Sequence, residues 1–311
     1  MSKKISIFII IILLGIFNSC GNKKAVPETS ANSPRNEPEQ IIIPPAEPTR
    51  AEKTMKTLVL AYPDVIEKAE LRGDDWAVFM RGKWYYYAGG RLLPENQLEN
   101  TANYRPQQFY GYPKDLPEWV KPTEEETARY SSWTTARSQN QIRRSNFFID
   151  DLWQSSTRVQ TENNLVKITF LGKTAKVHKG IQEKLSLVET RILTAAKADA
   201  ELQTWINNLG NLEGYGWRNI ADTQARSYHS YGLAVDLLPK NLRGKQTYWL
   251  WTSQYREDWW NVSYNERYHP PQEVINAFEA CGFVWGGKWP LFDTMHFEYR
   301  PEIFIYNGLH N

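Results

Sequence analysis

Two short segments hold most of the side chains in this 311-residue chain that could do chemistry. The first, Ser227-Tyr228-His229-Ser230-Tyr231-Gly232-Leu233-Ala234-Val235-Asp236, places an imidazole and a carboxylate on either side of two small residues. The second, Gly282-Phe283-Val284-Trp285-Gly286-Gly287-Lys288-Trp289, leads into Asp293-Thr294-Met295-His296-Phe297 and adds another carboxylate and another imidazole. Imidazoles and carboxylates bind divalent cations and pass protons. Taken singly, each histidine is more often an ordinary core or surface residue, and His-x6-Asp alone is a weak signal. Two patterned segments in a fixed order, with a Trp-Gly-Gly stretch before the second histidine, carry more information than either alone. Nucleophile chemistry has no matching signal. There is no Gly-x-Ser-x-Gly elbow, and Cys281 has no evident histidine partner in sequence.

The first segment fits S-x-H-x-x-G-x-A-x-D, and the second G-F-x-W-G-G-x-W followed by D-x-x-H-F. Together they resemble the zinc D-Ala-D-Ala carboxypeptidase and L-alanyl-D-glutamate endopeptidase family, which includes phage endolysins and the vancomycin-resistance dipeptidases. The resemblance spans roughly Val166 to Tyr299. It implies one zinc ion per chain on His229, Asp236 and His296, with Asp293 as general base and acid. It also implies that Arg218, in Tyr215-Gly216-Trp217-Arg218, binds the substrate carbonyl, although Arg226 is also close to the motif. Aspartate rather than glutamate at position 293 resembles the endopeptidase branch. The implied substrate is the peptide stem of peptidoglycan, cut between L-Ala and D-Glu. D-Ala-D-Ala carboxypeptidase action is the close alternative, for which Arg218, Arg226 or Arg243 could hold a terminal carboxylate. A non-catalytic wall-binding lipoprotein is the reading from another class, and the presence of all four residues speaks against it.

The chemistry of those residue types agrees. A hydrolytic zinc site uses three protein ligands and keeps one position open. Two imidazoles and one carboxylate leave a net positive site, which lowers the pKa of coordinated water to about 7. A nearby carboxylate then takes the proton and returns it to the leaving amine. In a regular strand Asp293 and His296 would point to opposite faces, so a turn must aim Asp293 inward. Gly232 and Ala234 allow close backbone packing beside the ligands. Glu298 suits either an acceptor for a ligating imidazole or an ordinary strand carboxylate. His178 and His269 match no ligand position and read as structural.

The elements that must position these groups indicate an α+β fold: a small zinc-peptidase domain with a long helix and a short antiparallel sheet, after a mixed, aromatic-rich accessory region. From Asn164, alternation at Val166, Ile168 and Phe170 predicts a strand. Gly172-Lys173 makes a turn. Apolar residues from Ile181 to Leu209 predict one long helix ended by Gly210. A helix over Gln272 to Ala280 stops at Gly282, and a final strand runs from His296 to Tyr299. Upstream, Leu58 to Ala69 suggests a short helix or turn, and Trp76–Met80 with Trp84–Tyr87 reads as a hairpin. Its aromatics suit packing better than glycan stacking. Asn146 to Trp153 looks helical.

The N-terminus reads as an address. Lys3 and Lys4 precede an apolar run from Ile5 to Phe17 that is short for a bilayer. Phe17-Asn18-Ser19-Cys20-Gly21 resembles the bacterial lipoprotein processing site, which implies lipid on Cys20 and a membrane-anchored protein of the cell envelope facing the periplasm or exterior. Residues 21–56, rich in Pro, Glu, Asn, Ser and Thr, read as a disordered tether. The expected divisions are a signal peptide at 1–20, the tether at 21–56, the accessory region at 57–163 and the metallopeptidase domain at 164–311. Lipid on Cys20 leaves Cys281 a lone thiol, expected to pack as a small buried hydrophobe. With a formal net charge of +2, including Lys3 and Lys4, nothing suggests a nucleic-acid partner.

Overall fold

Helix α1, Arg50–Ala61, starts where Thr49 accepts a hydrogen bond from the Glu52 N–H. Met55 and Leu58 point from one face of it into an apolar core. The computed structural model describes residues 47–107, 109–139, 143–221 and 223–309, with backbone alone for 133–139. The expected signal peptide, Cys20 and the tether up to residue 46 lie outside the described residues. The part of the expected tether after Arg50 is helix instead. Its capping threonine and spaced apolar residues outweigh its polar composition.

Strands β1 (Ile66–Arg72), β2 (Asp75–Met80), β3 (Lys83–Tyr86) and β4 (Leu93–Pro94) form an antiparallel sheet in sequential order. The β2–β3 hairpin turns on Arg81 and Gly82, both at positive φ, as a two-residue primed turn requires. Tyr85 and Tyr86 are buried, so these two aromatics serve packing. Beyond them, β5 (Tyr104–Arg105) pairs parallel with β6 (Arg143–Arg144). Helix α2 (Glu124–Gln139) lies between those strands in sequence. Helices α3 (Phe147–Leu152) and α4 (Arg158–Asn163) follow. α3 falls where expected, and Phe148 and Leu152 complete the core under α1.

The second half begins with the hairpin of β7 (Leu165–Phe170) and β8 (Lys173–His178). The single long helix expected from 181 to 209 is two helices, α5 (Gln182–Ala196) and α6 (Ala200–Asn207). Asp199 breaks the run because its carboxylate caps the Glu201 and Leu202 N–H groups, starting a new helix. Gly210 is no helix cap but a strand residue, within β9 (Leu209–Glu213). Next come β10 (Ala234–Pro239), the one-turn α7 (Trp249–Thr252), α8 (Gln272–Glu279), β11 (Phe283–Trp285), β12 (His296–Tyr299) and α9 (Pro301–Tyr306). The site-bearing sheet runs β11-β12-β10-β9.

Leu185, Val188 and Ile192 of α5 and Val274 and Phe278 of α8 share one core with the buried face of that sheet. The Phe278 and Phe297 rings stack at 4.0 Å. Truncating such a buried ring typically costs about 3–5 kcal/mol. Cys281 is buried in this core, as expected of a lone thiol. Thus the sheet's other face is held in register for chemistry. The segments expected as separate accessory and peptidase regions belong to one compact unit, Glu47–Asn311. α1 packs on α9, and Arg226 pairs with Asp150 at 2.9 Å.

Candidate metal centre

Antiparallel pairing of β10 with β12 sets Asp236 directly opposite His296. Alternation then sends Val235, Leu237 and Phe297 into the core, with Asp236, His296 and Glu298 on the other face. His229 arrives from the single 3-10 turn Tyr228–Tyr231, capped by Ser227 and ended by Gly232 in the left-handed region at φ +69°. A Cβ at Gly232 would lie 2.6 Å from the His178 nitrogen. The close approach and the left-handed backbone both require glycine there.

The three donor atoms converge. His229 Nε2 lies 3.2 Å from Asp236 Oδ1 and 3.1 Å from His296 Nδ1, and His296 Nδ1 lies 2.9 Å from Asp236 Oδ1. These edges approach the roughly 3.3 Å edge of a tetrahedron with bonds of about 2.0–2.1 Å. Each imidazole is oriented through its other nitrogen. His229 Nδ1 lies 2.6 Å from the Gly214 carbonyl, which can only accept, so Nε2 is free to ligate. His296 Nε2 lies 3.2 Å from Glu298 Oε2, which leaves Nδ1 free. All three residues, with Glu298, are nearly buried.

Electrostatics point the same way. Burial pushes the Asp236 carboxyl up, but His229 and His296 outweigh it and hold Asp236 well below the usual carboxylate range. Burial works against a charge on His296, yet hydrogen bonds to Asp236 and Glu298 raise it well above the usual imidazole range. This cluster of carboxylates therefore demands a positive charge at its centre, and a proton and a divalent cation compete for the same donors. The donor set and its geometry fit zinc.

Asp293 stands beside this centre. The turn that redirects it lies after it: the His296 N–H donates to the Asp293 carbonyl at 3.2 Å, across Thr294 and Met295. Gly286 makes room, since a Cβ there would meet the Asp293 carbonyl oxygen at 2.4 Å. From the other side Thr294 N–H donates to the Thr247 carbonyl at 2.7 Å, and Trp249 N–H to the Phe292 carbonyl at 2.9 Å. Asp293 Oδ1 is buried without a hydrogen-bond partner among the described residues. Burial pushes the Asp293 carboxyl up to about 7. Asp236 and Glu298 add to that shift, and His296 and Arg218 oppose it. A buried, unpartnered oxygen costs stability unless a ligand satisfies it, and a carboxyl near 7 suits proton transfer at neutral pH.

The two arginines beside the motif separate cleanly. Arg226 is buried. It donates to Asp150, to the carbonyls of Ser155 and Ser230 and to the Thr161 hydroxyl, at 2.6 to 3.0 Å. Its guanidinium also sits 3.7 Å from the Tyr231 ring centroid. Arg226 is thus committed to structure. Arg218 is exposed, while its backbone is pinned next to His229: its N–H donates to Ser230 Oγ at 2.8 Å, and its carbonyl accepts from Ser227. Arg243 lies on an exposed turn at φ +50°. His178 is structural, accepting from the Gly180 N–H and meeting the Trp153 carbonyl at 3.0 Å. Glu298, compatible in sequence with two roles, faces the His296 imidazole here. Its place two residues after His296, on the same strand face, was the available signal. The Gly214 carbonyl and Tyr110, whose hydroxyl accepts from Trp289 Nε1 at 3.0 Å, had none.

With this geometry, residues 221–299 match the model of a family described as D-alanyl-D-alanine carboxypeptidase. Over that segment the chain is similar to the family of D-Ala-D-Ala carboxypeptidases and L-alanyl-D-glutamate endopeptidases. Among curated proteins it is similar to the peptidoglycan L-alanyl-D-glutamate endopeptidase CwlK of Bacillus subtilis, 32% identical over 83 residues, which cover 24% of this chain and 41% of that protein. The chain therefore spans less than half the length of that relative. Residues 54–109 match a family described as a domain of unknown function. No solved structure matches the chain.

Proposed function

We propose that this protein is a zinc-dependent peptidase that hydrolyses an amide bond in the peptide stem of peptidoglycan. His229, Asp236 and His296 would hold the ion. The observation that carries the reading is the convergence of three donor atoms beside the unpartnered Asp293 Oδ1. When bound, zinc supplies Lewis acidity that polarises a carbonyl and makes water acidic near neutral pH. Asp293 takes the proton from the attacking water and delivers it to the amine that leaves. Arg218, exposed at the rim, orients the substrate carbonyl by donating to its oxygen. Glu298 holds the His296 ring by accepting from Nε2.

Cleavage between L-Ala and D-Glu is the preferred reaction. Support comes from Asp at position 293 and from the activity named for the Bacillus subtilis relative. D-Ala-D-Ala carboxypeptidase action is the second reading, favoured by the description of the matching family. That reaction needs a cation for the terminal carboxylate. Arg226 is already spent on Asp150, which weakens this alternative and leaves the task to Arg218 or Arg243. On the same reading the chain is tethered to an envelope membrane by lipid on Cys20, supported by the sequence alone. Elemental analysis tests the ligand assignment. The parent protein should carry about one zinc per chain and His229→Ala much less. Equal zinc in both would refute the assignment.

A further inference from the structure

A chain of buried contacts runs from the candidate metal centre out of the peptidase motifs. His296 Nε2 lies 3.2 Å from Glu298 Oε2. The other Glu298 oxygen accepts from Arg300 at 3.2 Å. Arg300 also donates to Glu302, and the second Glu302 oxygen accepts from the Tyr62 hydroxyl at 2.6 Å. His296, Glu298, Arg300 and Glu302 are each at most 7% exposed. Tyr62 closes α1, and its ring meets Trp153 edge-on at 6.0 Å. It belongs to the segment that matches a family of unknown function, more than two hundred positions before His296.

A second brace reaches the same imidazole from another side. The Tyr110 hydroxyl accepts from Trp289 Nε1 at 3.0 Å, and its carbonyl accepts from Asn307 at 3.0 Å. The Trp289 ring sits 5.6 Å from the His296 ring, tilted by 49°. The imidazole is thus fixed in its plane by Glu298 and across its face by Trp289, and both supports are anchored in the N-terminal segment.

We propose that the segment before the peptidase motifs is part of the metal centre, with Tyr62 and Tyr110 as positioning residues that fix the orientation of His296. The inference rests on the zinc reading above. The physical reason is that buried ionic groups hold a geometry only when every member is satisfied. Glu298 lies between an imidazole and Arg300, and Arg300 between two carboxylates. Without the Tyr62 hydroxyl, Glu302 loses a partner and Arg300 can shift toward it. That loosens the grip of Glu298 on the imidazole. Outer groups next to a ligand typically change metal affinity about 10–100-fold, and Tyr62 acts further along the chain.

The test uses the full protein with Tyr62→Phe, Tyr110→Phe and Glu302→Gln, plus Tyr85→Phe as a control. The Tyr85 hydroxyl bonds to Phe147 and Asp151, away from the relay. Zinc affinity is read by competition with a chromophoric chelator, and ligand geometry by the visible spectrum of the cobalt-loaded protein. Zinc affinity should fall about 3–10-fold in the two relay variants, Tyr62→Phe and Glu302→Gln, and in the brace variant Tyr110→Phe. Their cobalt spectra should shift, and the control should match the parent in both readouts. Parental affinity and an unchanged spectrum in Tyr62→Phe and Tyr110→Phe would overturn the proposal, even if their melting temperatures fall, because that pattern means packing alone. If the parent binds no zinc, the functional reading fails together with the proposal. If the parent binds tightly and the variants do not differ from it, only the proposal fails.

Discussion

On the proposed function, replacing Asp293 with Asn should separate catalysis from assembly at this site. The amide has nearly the shape of the carboxylate but cannot accept a proton. Asp293 Oδ1 has no hydrogen-bond partner among the described residues, so the substitution removes no such bond there. A broken buried hydrogen bond would cost about 1–3 kcal/mol, and here that cost is absent. Asp293 is also outside the converging donor set of His229, Asp236 and His296, so zinc should stay. Loss of general acid–base transfer lowers rates about 10²–10⁴-fold, which corresponds to about 3–5 kcal/mol of barrier. The assay is hydrolysis of purified muropeptides at saturating zinc, with zinc content and melting temperature measured on the same preparation. Expected are near-stoichiometric zinc, a near-parental melting temperature and a rate down by at least about 10². Hydrolysis at the parental rate would refute the role of Asp293 and make Glu298 the next candidate base. Loss of zinc would instead make Asp293 part of the ligand set.

Arg226→Met should destabilise the protein by about 3–5 kcal/mol in urea unfolding, since it strands Asp150 from a buried ion pair. Arg218→Ala, at an exposed residue, should stay within about 0.5 kcal/mol of the parent yet lower kcat/KM. The opposite pattern would exchange their roles. His178 gives a pH test. Burial, despite the bond to the Trp153 carbonyl, lowers its imidazole to about 4. As pH falls below about 6.5, the unfolded chain binds a proton that the folded chain refuses, so stability is lost progressively down to about pH 4. The loss reaches about 2 kcal/mol at pH 5. His178→Gln should remove that component from unfolding curves taken at pH 7 and pH 5, and an unchanged difference between them would contradict it. Cys20→Ser should shift the protein from the membrane fraction to the soluble one, because an acyl anchor contributes about 0.8 kcal/mol per buried CH₂. Persistence on the membrane after a salt wash would point to an uncleaved apolar segment or a partner.

Much of the candidate site's geometry was legible because its donor residues are grouped locally. His229, Gly232 and Asp236 lie within one turn and the strand that follows it. Asp293 and His296 are joined by a tight turn whose need could be argued from strand alternation alone. The β2–β3 hairpin, α3, α8 and β12 followed from aromatic runs, turn residues and apolar spacing for the same reason. The break between α5 and α6 was not legible from apolar spacing, which continues through Leu202 and Trp205. It is set by one capping carboxylate, Asp199. The start of α1 was hidden by the polar composition of residues 50–56, and its burial depends on a sheet and on α9, which lies far along the chain. The relay from His296 to Tyr62 joins residues more than two hundred positions apart, and no local pattern announces such a contact. That Arg226 is engaged by Asp150 was likewise visible only through a long-range contact.

The most direct test of the account is mass spectrometry of purified muropeptides after digestion with the zinc-loaded protein. Cleaved stems should appear whose released peptides begin with D-Glu, formed by the parent and not by His229→Ala. Release of a single alanine instead would move the cut to the D-Ala-D-Ala bond while leaving the zinc assignment in place. Stems left intact by a protein carrying one zinc per chain would contradict the account.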